Sequence, residues 1–316
     1  MTNPLVAQRE LNDGQSAVLI SAKLVRVSGK DRVSWLNSLL TQEIGSMKAN
    51  DSAESLVLDG NGRIKFVFHV IAEDSSFLLI SFGGDTDPSA WLDSRVFLED
   101  VTVSDETEAW EVWGATKPLG ALFWTDPWPN MVNGGFDYGE KLPQGWVWFE
   151  TLIPVGKDPG IPVAPDETLD ALRVVAGRPS IAEVDDRSLP HELGFIRTAV
   201  HLSKGCFPGQ ETVAKIHNIG HPPRRLVRLH LDGSDSVFAM AGDTVLAGDD
   251  AVGKVTTAGV HFEEGPVALA VIKRGVPLDA SLTVGHEGQP INASTEVIVP
   301  PTTGATAAER LRPRGQ

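Results

Sequence analysis

Cysteine is almost absent from this chain: one thiol, Cys206, stands in 316 residues. A lone cysteine cannot close an intramolecular disulfide or supply a thiolate zinc cage, and such usage fits a reducing compartment. Long apolar runs are missing as well. Nothing approaches the roughly 18 apolar residues needed to cross a bilayer, so no membrane partner is expected. The opening "MTNPLVAQRELNDG" lacks a basic segment followed by an apolar stretch and a small-residue cleavage site, which predicts a cytoplasmic address. Neither a P-loop nor a G-x-G-x-x-G after a strand occurs, which leaves nucleotide binding of the usual sort without support. Basic charge is scarce: 27 Lys and Arg face 42 Asp and Glu, a net charge of −15. That surface would repel phosphate backbones, so no direct nucleic-acid partner is expected.

What is present has the balance of a soluble protein, with 41% hydrophobic and 22% charged residues. The length exceeds a single compact core and predicts two or three domains. "KDRVSWLNSLL" from Lys30 puts Val33, Leu36 and Leu40 at helical spacing. "SLVLDGNGRIKFVFHVI" predicts a hairpin turning at Asp59-Gly60-Asn61-Gly62, with Ile64, Phe66, Phe68 and Val70 on one strand face. A helix follows Asp87-Pro88, where the proline needs no donor, and another is predicted in "DETLDALRVVAGRPS", capped by Asp166 and stopped by Gly177. After the His221-Pro222-Pro223 joint the pattern changes to alternating strands, from Arg224 to about Pro300. The tail "PPTTGATAAERLRPRGQ" has no apolar period and is expected to be disordered.

The thiol lies in "LSKGCFPGQETVAKIHNIGHPPRRL". Gly205, Pro208 and Gly209 predict a constrained loop, then a helix with Gln210 and Glu211 in its first turn and Gly220 past its end. Helix N–H groups and the ammonium of Lys204 would both favour a thiolate at Cys206. Two other chemistries are open from these residues. Cys206, His217 and His221 have part of a zinc-ligand spacing, with no fourth ligand evident, and His217 or His201 would be the base in a Cys-His nucleophile. Between residues 204 and 228, Lys204, Lys215, Arg224, Arg225 and Arg228 are opposed only by Glu211, an island suited to an anionic small molecule.

"KGCFPGQE" matches the K-G-C-aromatic-x-G-Q-E signature of the YgfZ-type folate-binding proteins, relatives of the glycine-cleavage T-protein. "ALRVVAGRP", "DDRSLPHELGF" and "PPRRLVRLHLDG" fall in the order that family shows. The chain resembles the family specifically over residues 169–232 and more loosely over 30–71. The resemblance implies an α+β fold of the aminomethyltransferase type. Two interwoven α+β subdomains would occupy residues 15–221 around a central folate channel, followed by a β-barrel over 224–300 and the tail 301–316.

It also implies tetrahydrofolate, or a one-carbon derivative of it, as cofactor. Glu192 aligns with the glutamate by which the T-protein recognises the pterin; a carboxylate can accept parallel hydrogen bonds from the pterin N3–H and 2-amino group. Gly205 and Gly209 would let backbone approach the ligand, Gln210 and Glu211 would fix the loop, and Lys204 would tune Cys206 as a reactive or redox thiol. The basic island would suit a glutamyl tail. One departure concerns mechanism. The T-protein has a catalytic aspartate in the segment resembling "GRIKFVFHV", whereas Ile64-Lys65-Phe66-Val67-Phe68 contains no acid and Asp59 across the turn is no evident substitute. Turnover of the glycine-cleavage type is therefore not expected. The function implied is a tetrahydrofolate-binding accessory protein for iron-sulfur cluster assembly or repair, with iron-sulfur client or assembly proteins as partners and indirect effects on radical enzymes that modify tRNA. The alternative is a folate-dependent one-carbon transferase or demethylase acting on an unidentified amine.

Overall fold

A computed structural model describes residues 3–84, 86–139, 145–234 and 236–307. Helix α1 (Pro4–Asn12) starts where the Asn3 side chain accepts from Leu5 N. Strands β1 (Ala17–Ile20) and β2 (Lys23–Ser28) and helix α2 (Arg32–Leu39) follow. Next come β3 (Ser52–Leu58), β4 (Ile64–Ala72), β5 (Ser76–Ser81), α3 (Pro88–Asp93) and β6 (Thr102–Asp105). β7 (Trp110–Ala115), β8 (Phe123–Thr125), β9 (Phe149–Pro154), β10 (Val163–Ala164) and α4 (Thr168–Val175) make up the middle. Short 3-10 turns at Ile181–Glu183 and Pro190–Glu192 lead to α5 (Gln210–Ile219). The last strands are β11 (Arg224–Leu231), β12 (Thr244–Ala247), β13 (Asp250–His261), β14 (Gly265–Lys273), β15 (Leu282–His286) and β16 (Gln289–Val297).

The strands form three sheets. One is antiparallel, in the order β3-β4-β5-β2-β6; the second runs β10-β1-β7-β9-β8, with β1 and β10 parallel. β11 to β16 close a barrel in the order β11-β14-β13-β12-β15-β16. Only Ser21 and Ala22 separate β1 from β2, yet the two strands belong to different sheets, so the two α+β halves are interwoven as expected. Among the described residues no helix is long and apolar enough to cross a membrane.

Local chemistry explains the elements. Asp87 caps α3 by accepting from Ser89 N, and Pro88 follows it at the first helical position. The β3–β4 turn is held by Asp59 Oδ1, which accepts from Asn61 N and Arg63 N, with Gly62 at φ +80°. A register shift between Val57 and Leu58 pairs Leu58 with Ile64, and Lys65 becomes an extra residue. Ile64 therefore packs beneath the barrel, while Phe66, Phe68 and Val70 pack with α2 and α3, a departure from the single face expected. Helix α4 starts at Thr168, later than a cap at Asp166 would give, because Thr168 N and Leu169 N bond Pro165 O and Asp166 O in a preceding turn. Gly177, at φ +63°, ends it as expected.

The barrel docks on α4 through buried polar groups. Arg173 donates to Glu183 Oε2 at 2.7 Å and to the Thr257 hydroxyl at 2.7 Å. The expected disorder of the tail does not hold for residues 301–307. Thr303 and Thr306 are buried, Ala305 N donates to Ile216 O, and the Thr306 hydroxyl donates to His217 O, so this segment satisfies carbonyls at the end of α5. Residues 308–316 lie outside the described residues.

Candidate functional site

The cysteine loop has the geometry the sequence predicts but a different division of labour. Gly209 is at φ +77° and opens α5; a Cβ there would sit 2.7 Å from Gly62 Cα and 2.6 Å from Asp59 O. Glycine is thus required by the hairpin packed against it. Phe207 turns into the core, Cys206 is exposed, and Gly205 has open space around it. Gln210 Nε2 donates to Lys204 O at 3.3 Å and braces the loop, whereas Glu211 is exposed in the first turn of α5.

Lys204 is not directed at the thiol. Its buried ammonium donates to Asn37 O, Leu40 O and Gln42 O at 2.7–2.8 Å and to Asn37 Oδ1 at 3.1 Å, capping the carbonyl end of α2. Burial pushes its pKa down to about 8, against a weaker opposing pull from Glu43. The histidines are also engaged. Tyr138 Oη lies 2.5 Å from His217 Nδ1, His221 Nδ1 lies 2.8 Å from Thr303 O, and His201 Nδ1 accepts from Ser203 N.

Glu192 is fully buried in its 3-10 turn, and its carboxylate is occupied. Arg224 donates Nε to Oε1 at 3.0 Å and Nη2 to Oε2 at 2.8 Å, while Leu189 N donates to Oε2 at 3.1 Å. The guanidinium supplies the parallel donor pair expected of a pterin. Arg224 also bonds Asp185 at 2.6 and 3.0 Å, and those hydrogen bonds hold the Asp185 carboxyl well below the usual carboxylate range. The basic island is correspondingly dispersed. Arg228 pairs with Glu264 and Glu296, Arg225 is buried with Nη2 on Val276 O, and Lys215 is exposed on α5.

A second constellation, absent from the residues singled out in sequence, lies where the two sheets meet α4. Glu54 of β3, His69 of β4, Glu150 of β9, Asp126 and Arg178 line a cavity of about 190 Å³ with Phe82, Trp146 and Trp148. A cavity of about 150 Å³ holds a benzene ring, so this one has room for a flat ring. All five polar residues are at least nine-tenths buried. Arg178 donates Nη2 to Glu54 Oε1 at 2.6 Å and Nε to Asp126 Oδ2 at 2.8 Å. Burial alone would lower the Arg178 pKa; the two carboxylates more than reverse this and keep it charged. Trp146 Nε1 also donates to Asp126 Oδ2, and Trp128 N to Oδ1. The Thr198 hydroxyl donates to Glu54 Oε2.

His69 lies flat on Trp124 at 3.6 Å, with Nδ1 2.6 Å from Glu150 Oε2 and Nε2 3.8 Å from Glu54 Oε1. Trp146 and Trp148 stack at 5.5 Å, and a Cβ at Gly114 would sit 2.2 Å from Trp148 Cζ2, so glycine leaves room for that indole. A sequence signal existed for these residues: His69 interrupts the apolar run Phe66–Ala72, and Glu54 and Glu150 are the one acid in each of their strands. Burying such groups is costly unless they are paired.

No family model matches the chain. A chloroplastic protein of Arabidopsis thaliana, named as a provisional transferase, is 25% identical over 299 residues, which span 83% of this chain and 66% of that protein. The chain is also similar to the crystal structure of the glycine cleavage system aminomethyltransferase T from Bartonella henselae. The TM-score is 0.72 at 18% identity, over 96% of this chain and 90% of that one. The chain has the aminomethyltransferase-type fold.

Proposed function

We propose that the protein binds tetrahydrofolate and belongs to the transferase-type users of this fold, with the pterin ring in the cavity between the two sheets. One observation carries the reading: aromatic walls and buried carboxylates converge on a ring-sized space in this fold. The groups present fit a pterin, which needs flat apolar faces and acceptors for its N–H donors. Bound tetrahydrofolate supplies a carrier for a one-carbon unit. Calorimetric titration of the whole chain with tetrahydrofolate tests this. Saturable binding that is abolished by Leu169→Trp, which fills the cavity wall, is the expected result; absence of binding by the wild type overturns it.

In its finer form the reading is that of a YgfZ-type cytoplasmic accessory protein for iron-sulfur cluster assembly or repair, acting on cluster proteins that include tRNA-modifying radical enzymes. The exposed Cys206 and the absence of an acid from Ile64 to Phe68 support it. Cys206 serves as the reactive thiol, on a loop held by Lys204, Gly209 and Gln210. In a deletion strain the wild type should restore cluster-enzyme activity and Cys206→Ser should not; full rescue by Cys206→Ser removes the thiol from the function. The close His69–Glu150 pair favours a second reading, a folate-dependent one-carbon transferase or demethylase, because it places an imidazole and a carboxylate in hydrogen-bond contact at the cavity wall. Formation of methylenetetrahydrofolate with turnover would distinguish that enzyme from a non-turning-over accessory.

A further inference from the structure

The barrel encloses a charge that no acid answers. Arg225 of β11 is 0% exposed, and among the described residues neither Nε nor Nη1 has a hydrogen-bond partner, while Nη2 donates to Val276 O at 3.2 Å. One carbonyl thus serves a group with five N–H donors and a full positive charge. Burial pushes its pKa down, but a guanidinium keeps its proton in a protein, so the cost of desolvating the charge stands.

The position of Arg225 separates it from the corner at Glu192. Side chains alternate along a strand. Arg224 and Arg228 leave β11 on its outer face, the first to Asp185 and Glu192 and the second to Glu264 and Glu296, whereas Val227, Leu229 and Leu231 fill the barrel core. Arg225 shares the inward parity, and its register partner Ile272 belongs to the same core. A strap closes this end of the barrel. β14 and β15 stand opposite each other in the strand order, so residues 274–281, which join them, cross the mouth. Val276 turns inward with its carbonyl on Arg225, and Leu278, two residues on, is 56% exposed.

The remaining donors have a definite geometry. Nη2 carries two protons, one parallel to Nε–H and one parallel to a proton of Nη1. Whichever of them bonds Val276 O, the other completes a fork, Nε with Nη2 or Nη1 with Nη2, and such a fork matches two oxygens of one anion. Behind the strap, the position admits only a small one.

We infer that Arg225 is the base of a site for a small free oxyanion, which enters when the strap 274–281 lifts from the barrel mouth. This goes beyond the folate reading and does not depend on it.

Thermal unfolding of the full chain at constant ionic strength tests the site, with chloride replaced by inorganic phosphate or, separately, by acetate. In the wild type at least one of the two should raise the midpoint saturably, by roughly 2–4 °C at about ten times its Kd, and the probe that does so tells a tetrahedral anion from a planar carboxylate. Arg225→Met removes the charge and keeps a stem of similar length; it should be no less stable in chloride and should lose the saturable rise. Arg225→Lys, with the charge but no fork, should keep only part of it. Lys254→Met, in the cleft between the barrel and residues 182–187, should respond as the wild type does. A rise that is linear in the anion and equal in wild type and Arg225→Met is exclusion of salt from the surface and overturns the site. No rise with either probe, or a response lost in Lys254→Met and kept in Arg225→Met, overturns it too. Should Arg225→Met not fold, an undiminished rise in Arg225→Lys overturns it equally.

Discussion

Glu192 and Glu150 are both buried glutamates, at 0% and 4% exposure, and both lie beside a strongly basic or ionisable partner. At Glu192 a guanidinium takes both oxygens, so the corner is a closed structural joint between a 3-10 turn and the first barrel strand. At Glu150 an imidazole takes one oxygen, and among the described residues no hydrogen bond reaches the other. The pair teaches that equal burial does not mean equal engagement: one carboxylate is held by a cation from another element, the other by a single imidazole.

The largest way to break the contrast is to open the closed corner. Arg224→Met strands Glu192 and Asp185 without their cation, and the expected loss is about 3–5 kcal/mol in urea unfolding. Little loss would mean that the corner is not the joint described. A second test concerns the neighbour of Glu192. Burial pushes the His191 pKa from 6.5 down to about 3, and among the described residues neither ring nitrogen has a hydrogen-bond partner. The unfolded chain takes up a proton below pH 6.5 that the folded chain refuses, so stability falls as pH drops from 6.5 toward 3. The contribution at pH 4 is about 3 kcal/mol. His191→Leu should flatten that limb of the pH–stability curve and leave stability at pH 7 the same or higher.

A smaller effect is expected at Lys204. Lys204→Met leaves the α2 carbonyls without their donor and should cost about 1–3 kcal/mol at pH 7. Because the folded pKa is depressed from 10.5 to about 8, the wild type should also gain stability between those pH values, and the variant should lack that rise. A variant that lost thiol reactivity at Cys206 while keeping its stability would restore the tuning role.

The sequence disclosed what local chemistry governs. The Gly209–Gly220 bounds of α5, the Asp59–Gly62 turn and the alternating strands after Pro223 are written in caps, turn residues and period, and they appear where expected. The site was less legible. Lys204 meets its acceptors across more than 160 residues of chain, and His69 meets Glu150 across 81. No local pattern states which partner a buried charge will find. Thr303 and Thr306 were misread for the same reason: a segment without an apolar period still packs when its polar groups meet the open carbonyls of a helix end.

The crossing of the chain between β1 and β2 bears on how the molecule is made. β1 pairs with β7 and β10, Ala17 lying opposite Val163, so during synthesis this strand waits for nearly half the sequence to follow it before its sheet can close. Meanwhile β2 to β6 can assemble as a complete antiparallel sheet with α2 and α3 packed on it. Synthesis thus produces one half early and leaves the other with an open strand edge, the interval in which the nascent protein is most exposed to mispairing.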